Sequence, residues 1–220
     1  MAQRHPAPRF RTFLVIWLGQ VVSLVGSGLT GFALGVLVYQ ETGSVTQFAL
    51  ISLFTALPGI VLSPIAGALV DRWDRRWAMI MSDTGAGLCT LGVAILLLTQ
   101  RLEVWHVYVL MGLSSTFSAF QWPAYSAATT LLVPKAQLGR ANGMVQLGQA
   151  VAQIAAPSLA GVLMGLIQVE GVILIDVVTF LFAVTTLLLT RVPRPVVTAE
   201  GIAGQGTLLA LAVRYIGYFA

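Results

Sequence analysis

Gly67-Ala68-Leu69-Val70-Asp71-Arg72-Trp73-Asp74-Arg75-Arg76 is a charged stretch set between two long apolar blocks. What surrounds it is almost uncharged: of 220 residues, 57% are apolar and only 9% carry charge, and the mean hydropathy is +0.88. A soluble domain carries about 25% charged residues, so this chain cannot solvate a globular surface. It reads as an integral membrane protein. Nucleic-acid binding is excluded by the same arithmetic, because the 12 Lys and Arg residues are scattered in twos and threes without a basic face. The single cysteine, Cys89, lies inside an apolar run, which leaves no disulfide framework or zinc site. His5 and His106 are the only histidines and neither has metal-ligand spacing, so no metal or other cofactor is expected.

Outward from the charged stretch, the apolar text falls into six blocks, at 13–39, 46–70, 77–99, 105–132, 141–166 and 170–190. Each is long enough for a bilayer core, which needs about 20 residues of helix. The first block is too long for the core of a signal peptide; its Gly26, Gly28, Gly31 and Gly35 suit tilt or close packing instead. The intervening loops alternate in charge. Arg4, Arg9, Arg11, Arg72, Arg75, Arg76, Lys135, Arg140, Arg191 and Arg194 fall on one side, and Arg101 alone falls on the other. The basic side is cytoplasmic, so both termini are expected there, with the chain multi-pass in a cell (inner) membrane. The domain plan is a cytoplasmic tail (1–12), a six-span membrane domain (13–190) and a cytoplasmic connection (191–220). Thr207–Ala220 is apolar but too short to span; it reads as an interfacial helix or the start of something further.

The charged stretch has a readable physical sense. Gly67 sits one helical turn before Asp71 and would admit a close neighbouring helix. Asp71 closes the helix and can face a helix N-terminus or an arginine across an interface, while Arg72, Arg75 and Arg76 suit an anionic leaflet. The pattern resembles the major facilitator superfamily signature G-x-x-x-D-R-x-G-R-R, departing from it only at Asp74, where the pattern has glycine. A second run, Gly143, Ala152, Ala156-Pro157 and Ala160-Gly161, is similar to the fifth-span motif of the antiporter branch, with alanine at three glycine positions. Trp17-Leu18-Gly19-Gln20, Pro123-Ala124, Leu131–Pro134 and Ile175-Asp176 are similar to the macrolide-efflux group of drug:proton antiporters. The resemblance implies an all-α polytopic membrane protein: six transmembrane helices in two inverted three-helix repeats, one half of a major facilitator fold. It also implies that spans one and four line the cavity, while spans three and six stay away from it. Ser114 stands where that group commonly has an arginine associated with proton coupling, which leaves the coupling ion open.

Polar residues inside spans are the candidates for transport, because lipid makes each of them costly. Gln20 and Ser23 in span one, with Ser114, Ser115, Ser118, Gln121 and Trp122 in span four, are the expected cavity residues. Gln146, Gln149 and Gln153 form an i, i+3, i+7 stripe that either lines a cavity or joins helices. Of the two intramembrane carboxylates, Asp176 is read as more often structural than protonatable. Asp83 is expected to pair with Arg75 or Arg76. Without a buried Lys or Arg, organic anions are disfavoured and lipophilic neutral or cationic compounds remain.

An intramembrane serine protease would need a histidine deep in a span, and none is present; the chain is not read as an enzyme. The resulting expectation is ion-coupled efflux of lipophilic drugs such as macrolides, a route to antibiotic resistance. The alternative is a truncated half-transporter or scaffold that needs a second six-span half or a second copy. In the dimeric version, Asp71 of one copy meets the start of span five, near Gly139–Gly143, of the other.

Overall fold

The computed structural model describes residues 10–190; the expected tail ahead of Phe10 and the 191–220 connection lie outside the described residues. Helices account for nearly all of it: α1 (Phe10–Thr42), α2 (Val45–Val70), α3 (Arg75–Leu98), α4 (Val104–Leu132), a short 3-10 turn (Lys135–Gln137) and α5 (Leu138–Leu189). In a membrane this is the economical solution, since a helix satisfies its own backbone hydrogen bonds. Four segments among the described residues are long and apolar enough to cross a bilayer: α1, α2, α3 and Lys135–Leu189. α4, although 29 residues long, is not among them, its text being diluted by Ser114, Ser115, Thr116, Ser118 and Gln121.

The breaks are short and chemically specified. Gly43, at φ +65°, ends α1 with its N–H on the Tyr39 carbonyl at 2.8 Å. Ser44 then caps α2 by accepting the Gln47 N–H. α3 ends on Gln100 at φ +58°, with the Arg101 N–H reaching back to Leu96 O at 2.9 Å.

α5 is unusual. Its 52 residues would make a rod of about 78 Å at 1.5 Å per residue, but Gln168 has φ +59° and ψ −177° and turns the chain back. The two arms, 138–167 and 169–189, both lie on α1. The Trp17 indole N–H donates to Met144 O at 2.9 Å, and Gly28 packs against Ala156, so the first arm runs parallel to α1. Gly19 lies against Thr186 and Gly26 against Thr179, so the second arm runs antiparallel.

Two apolar clusters hold the bundle. One gathers Phe13, Ile16, Met79, Ala128 and Leu187; the other gathers Leu34, Val38, Val93, Val107 and Ile173 at the opposite end. A belt of polar side chains lies between them. The outward faces of α2 (Leu53, Leu57, Ile60, Val61) and of the first arm (Leu147, Ile154, Val162, Leu166) are exposed.

Gln168 occupies a backbone region that is essentially restricted to glycine, at a cost of about 1–3 kcal/mol. Gln168→Gly is therefore expected to raise the thermal midpoint of the purified protein in detergent by a few degrees. Gln168→Val is expected to lower it; light scattering during a thermal ramp reads both.

Candidate functional site

The polar belt is built by helical spacing. α1 contributes Gln20, Ser23 and Ser27, and α4 contributes Ser118, Gln121 and Tyr125, each set at i, i+3, i+7 on one face. α3 adds Asp83 and Thr90, seven residues apart, with Ala86 and Gly87 between them. The arms of α5 add Gln149, Asp176 and Phe180. Together with Trp17 and Trp122 they surround a cavity of about 260 Å³.

Its hydrogen bonds run in two chains. In the first, Gln121 donates to the Gln20 Oε1 at 2.6 Å, and Gln20 donates onward to the Asp83 carboxylate at 2.8 Å. In the second, Ser27 and Thr90 each donate to one carboxylate oxygen of Asp176, at 3.3 and 3.2 Å. Asp176 is 2% exposed, while Asp83 is only half-buried. Tyr125 is buried, yet its hydroxyl has no partner, and neither has Gln121 Oε1.

Several expected residues meet here and others do not. Gln20, Ser23, Ser118, Gln121, Trp122 and Gln149 line the cavity. Gln146 and Gln153 are exposed on the outside of the first arm. Ser114 borders a separate void of about 30 Å³, shared with Ser27, Thr30, Thr90 and Asp176, which is room for about one water. Ser115 turns to α2, donating to Thr55 O at 2.5 Å and accepting the Gly59 N–H at 3.2 Å.

Two expectations are corrected. Asp83 does not pair with Arg75 or Arg76: it turns toward α1, while Arg76 donates to the Leu187 and Leu188 carbonyls at 2.8 and 2.7 Å. Those carbonyls end α5 and lack intrahelical donors, so a guanidinium fork satisfies them better than it could a carboxylate two turns along its own helix. Asp83, Thr90, Asp176 and Phe180, from α3 and the second arm of α5, are part of the wall of this cavity inside the bundle. Gly67 admits no close neighbour among the described residues, since a Cβ there would meet nothing within 4 Å.

The remaining motif residues divide by face. Asp71 is exposed and is the C-cap of α2, its backbone N–H on Gly67 O at 3.1 Å. Asp74, where the motif departs from its pattern, is the N-cap of α3 and accepts the Arg76 and Trp77 N–H groups. In the fifth-span run, Ala152 and Ala156 are buried, whereas Gly143, Pro157 and Gly161 are exposed. Ser27, Thr90, Tyr125 and Phe180 are absent from the sequence-derived set. Ser27 and Thr90 were findable as the i+7 partners of Gln20 and Asp83.

The family model of the Major Facilitator Superfamily matches residues 16–218. This chain belongs to that superfamily. Among curated relatives it is 34% identical over 182 residues to macrolide efflux protein A of Streptococcus pyogenes, covering 83% of this chain and 45% of that protein. It is 35% identical over 143 residues to macrolide efflux protein A of Enterococcus faecalis, covering 65% of this chain and 44% of that protein. It is 26% identical over 164 residues to the enterobactin exporter EntS of Salmonella typhi, covering 74% of this chain and 38% of that protein. The chain thus spans a little under half the length of these relatives. As a superfamily member with long apolar helices, it is an integral membrane protein and a transporter-family chain.

A methyl group at Gly26 would collide with Thr179 and crowd the Asp176 carboxylate, whereas one at Gly67 or Gly143 would meet open space. Gly26→Ala is expected to destabilise the bundle by about 1–3 kcal/mol, the usual range for overpacking. Gly67→Ala and Gly143→Ala, in helices with room for the methyl, should leave the melting midpoint unchanged or raise it slightly. A Gly26→Ala protein melting like the parent would show that α1 and the second arm are not in this contact.

Proposed function

We propose that this chain forms the substrate-handling unit of a drug-exporting permease in the cytoplasmic membrane. Its likeness to the macrolide efflux proteins, over 83% of its own length, carries the reading. In this reading the chain crosses the membrane six times, α5 making two of the crossings. The crossings form two inverted three-helix repeats, with residues 10 and 190 on the cytoplasmic side. Three observations support it: the reversal of α5 at Gln168, the basic residues gathered at one end, and the polar belt between two apolar clusters. The Gln20–Gln121 bond links the first helix of one repeat to the first helix of the other.

Superfamily transport rocks two six-span units about a midplane site. The exposed faces of α2 and of the first arm of α5 suit such a second unit, whether a different half or another copy of this chain. Proteoliposomes carrying the chain with a co-expressed second half should extrude a labelled macrolide under an imposed proton or sodium gradient. Retention of the label under both gradients would end the efflux reading. Cysteines at Asp71 and Asn142 in a Cys89→Ser background should cross-link between copies if the second unit is the same chain. No dimer band alongside working export would assign the second unit to another protein.

A further inference from the structure

Asp176 borders two spaces. One is the main cavity; the other is the smaller void, of about 30 Å³, where α1, α3, α4 and the second arm of α5 meet. Thr30 from α1, Ser114 from α4 and Asp176 supply polar groups at its edge, while Cys89, Val93 and Met111 form an apolar side. A single water needs about 10–15 Å³ of probe-occupied space and two to four polar partners. The void offers both.

The Thr30 hydroxyl is the deciding group. Thr30 is 2% exposed and lies toward the Asp176 carboxyl group, yet its oxygen makes no bond of acceptable hydrogen-bond geometry. Other buried threonines of this bundle donate back to a carbonyl in the preceding turn, Thr129 to Tyr125 O at 2.9 Å and Thr186 to Ala183 O at 2.7 Å. Thr30 does not, and a buried hydroxyl left unpaired forfeits the full cost of its desolvation. Asp176 has acceptor capacity to spare. Its bonds from Ser27 and Thr90 are long, at 3.3 and 3.2 Å, where an O–H···O bond is usually about 2.7–2.8 Å. An ionised carboxyl group presents about four lone-pair positions, and these two bonds occupy only part of that set.

We propose that this void is a binding site for one water molecule, held by Thr30, Ser114 and Asp176. The water accepts the Thr30 hydroxyl proton and donates to Asp176 and to Ser114 Oγ. Because water both donates and accepts, the site serves Asp176 in either protonation state. A bare cation fits less well, since Cys89, Val93 and Met111 present it with no oxygen on their side. Thr30 makes no direct bond to Ser114, so the water joins α1 to α4 at this level. The Gln20–Gln121 bond joins the same two helices at another. The site is a joint of the bundle and is independent of what the chain exports.

The test uses the purified full chain in detergent. Thr30→Val keeps the side chain's shape and removes its hydroxyl, so the sign of the effect is diagnostic. With the water bound, the thermal midpoint falls by a few degrees; removal of an unpaired hydroxyl would raise it and overturn the proposal. Ser114→Ala should lower the midpoint too. The double variant should lose clearly less than the two single shifts combined, because one water serves both residues; additive shifts would overturn the proposal. Hydroxyl-radical footprinting with X-rays reads the unsubstituted protein, since radiolysis of a bound water oxidises the side chains beside it. Cys89, 5% exposed, should be oxidised several-fold faster than Met79, which is 0% exposed within an apolar cluster. Ser114→Val, whose methyl groups enter the void, should slow oxidation at Cys89 and leave the exposed Met81 unchanged. Equal rates at Cys89 and Met79 would mean a dry void and end the proposal. A midpoint raised by sodium relative to choline in the parent, and not in Thr30→Val, would put an ion there in place of water.

Discussion

Close approach of α1 to both arms of α5 is the constraint on which the bundle depends. Lipid offers no hydrophobic drive between helices, so association comes from van der Waals contact and interhelical hydrogen bonds. Gly19 and Gly26 give the second arm its place, and Gly28 meets Ala156 on the first. Gly148 returns the same courtesy to Trp17 and Val21. Hydroxyl and amide side chains are short, and they reach across only because the backbones are already near. The Ser27–Asp176 bond, at 3.3 Å, has no slack for even a modest separation of the helices. The polar belt is therefore a consequence of glycine placement as much as of polar placement.

The charged loop contributes in a second way. Asp74 gives α3 a side-chain cap that glycine could not supply. Trp73, between the two aspartates, stacks on Phe120 of α4 with ring centroids 6.1 Å apart. Arg76 reaches the last carbonyls of α5, where a cation also suits the negative end of the helix. The loop after α2 thus touches α4 and the end of α5, and joins helices far apart in sequence at one level of the bundle.

Much of this was legible in the text. The apolar blocks match the helix limits to within a few residues because most limits are chemically marked by glycine, serine, proline or charge. The break expected between 166 and 170 became a one-residue reversal at Gln168, since no glycine or proline at that position announced it. The partner of Asp83 was not legible. Sequence neighbours pointed to the nearby arginines, but only the tertiary arrangement shows that Arg76 faces the end of α5. The stripe of Gln146, Gln149 and Gln153 was visible as a period, yet a period does not say which way its face turns. Two of the three look outward. The contribution of α3 and of the second arm was hidden for a different reason: the seven-residue spacing of Asp83 and Thr90 marks one helix face but not what that face meets.

α2 shows how a helix with little burial keeps its place. Of its residues only Ile51, Ala66 and Val70 are buried, and Pro58 removes one N–H from the middle of its ladder. Lipid cannot repair such a gap, because it has no donors or acceptors to offer. α4 answers at the next rung: Ser115 donates to Thr55 O and accepts from Gly59 N–H, standing between a carbonyl and the N–H that would otherwise pair with it. Farther along, the Tyr108 hydroxyl donates to Gln47 O at 3.1 Å and its ring stacks on Phe54. α2 and α4 are consequently joined by polar bonds at two levels. The outward apolar face of α2 is then a feature of the pair, so whatever covers it acts on the helix that carries Gln121 and Tyr125 into the cavity.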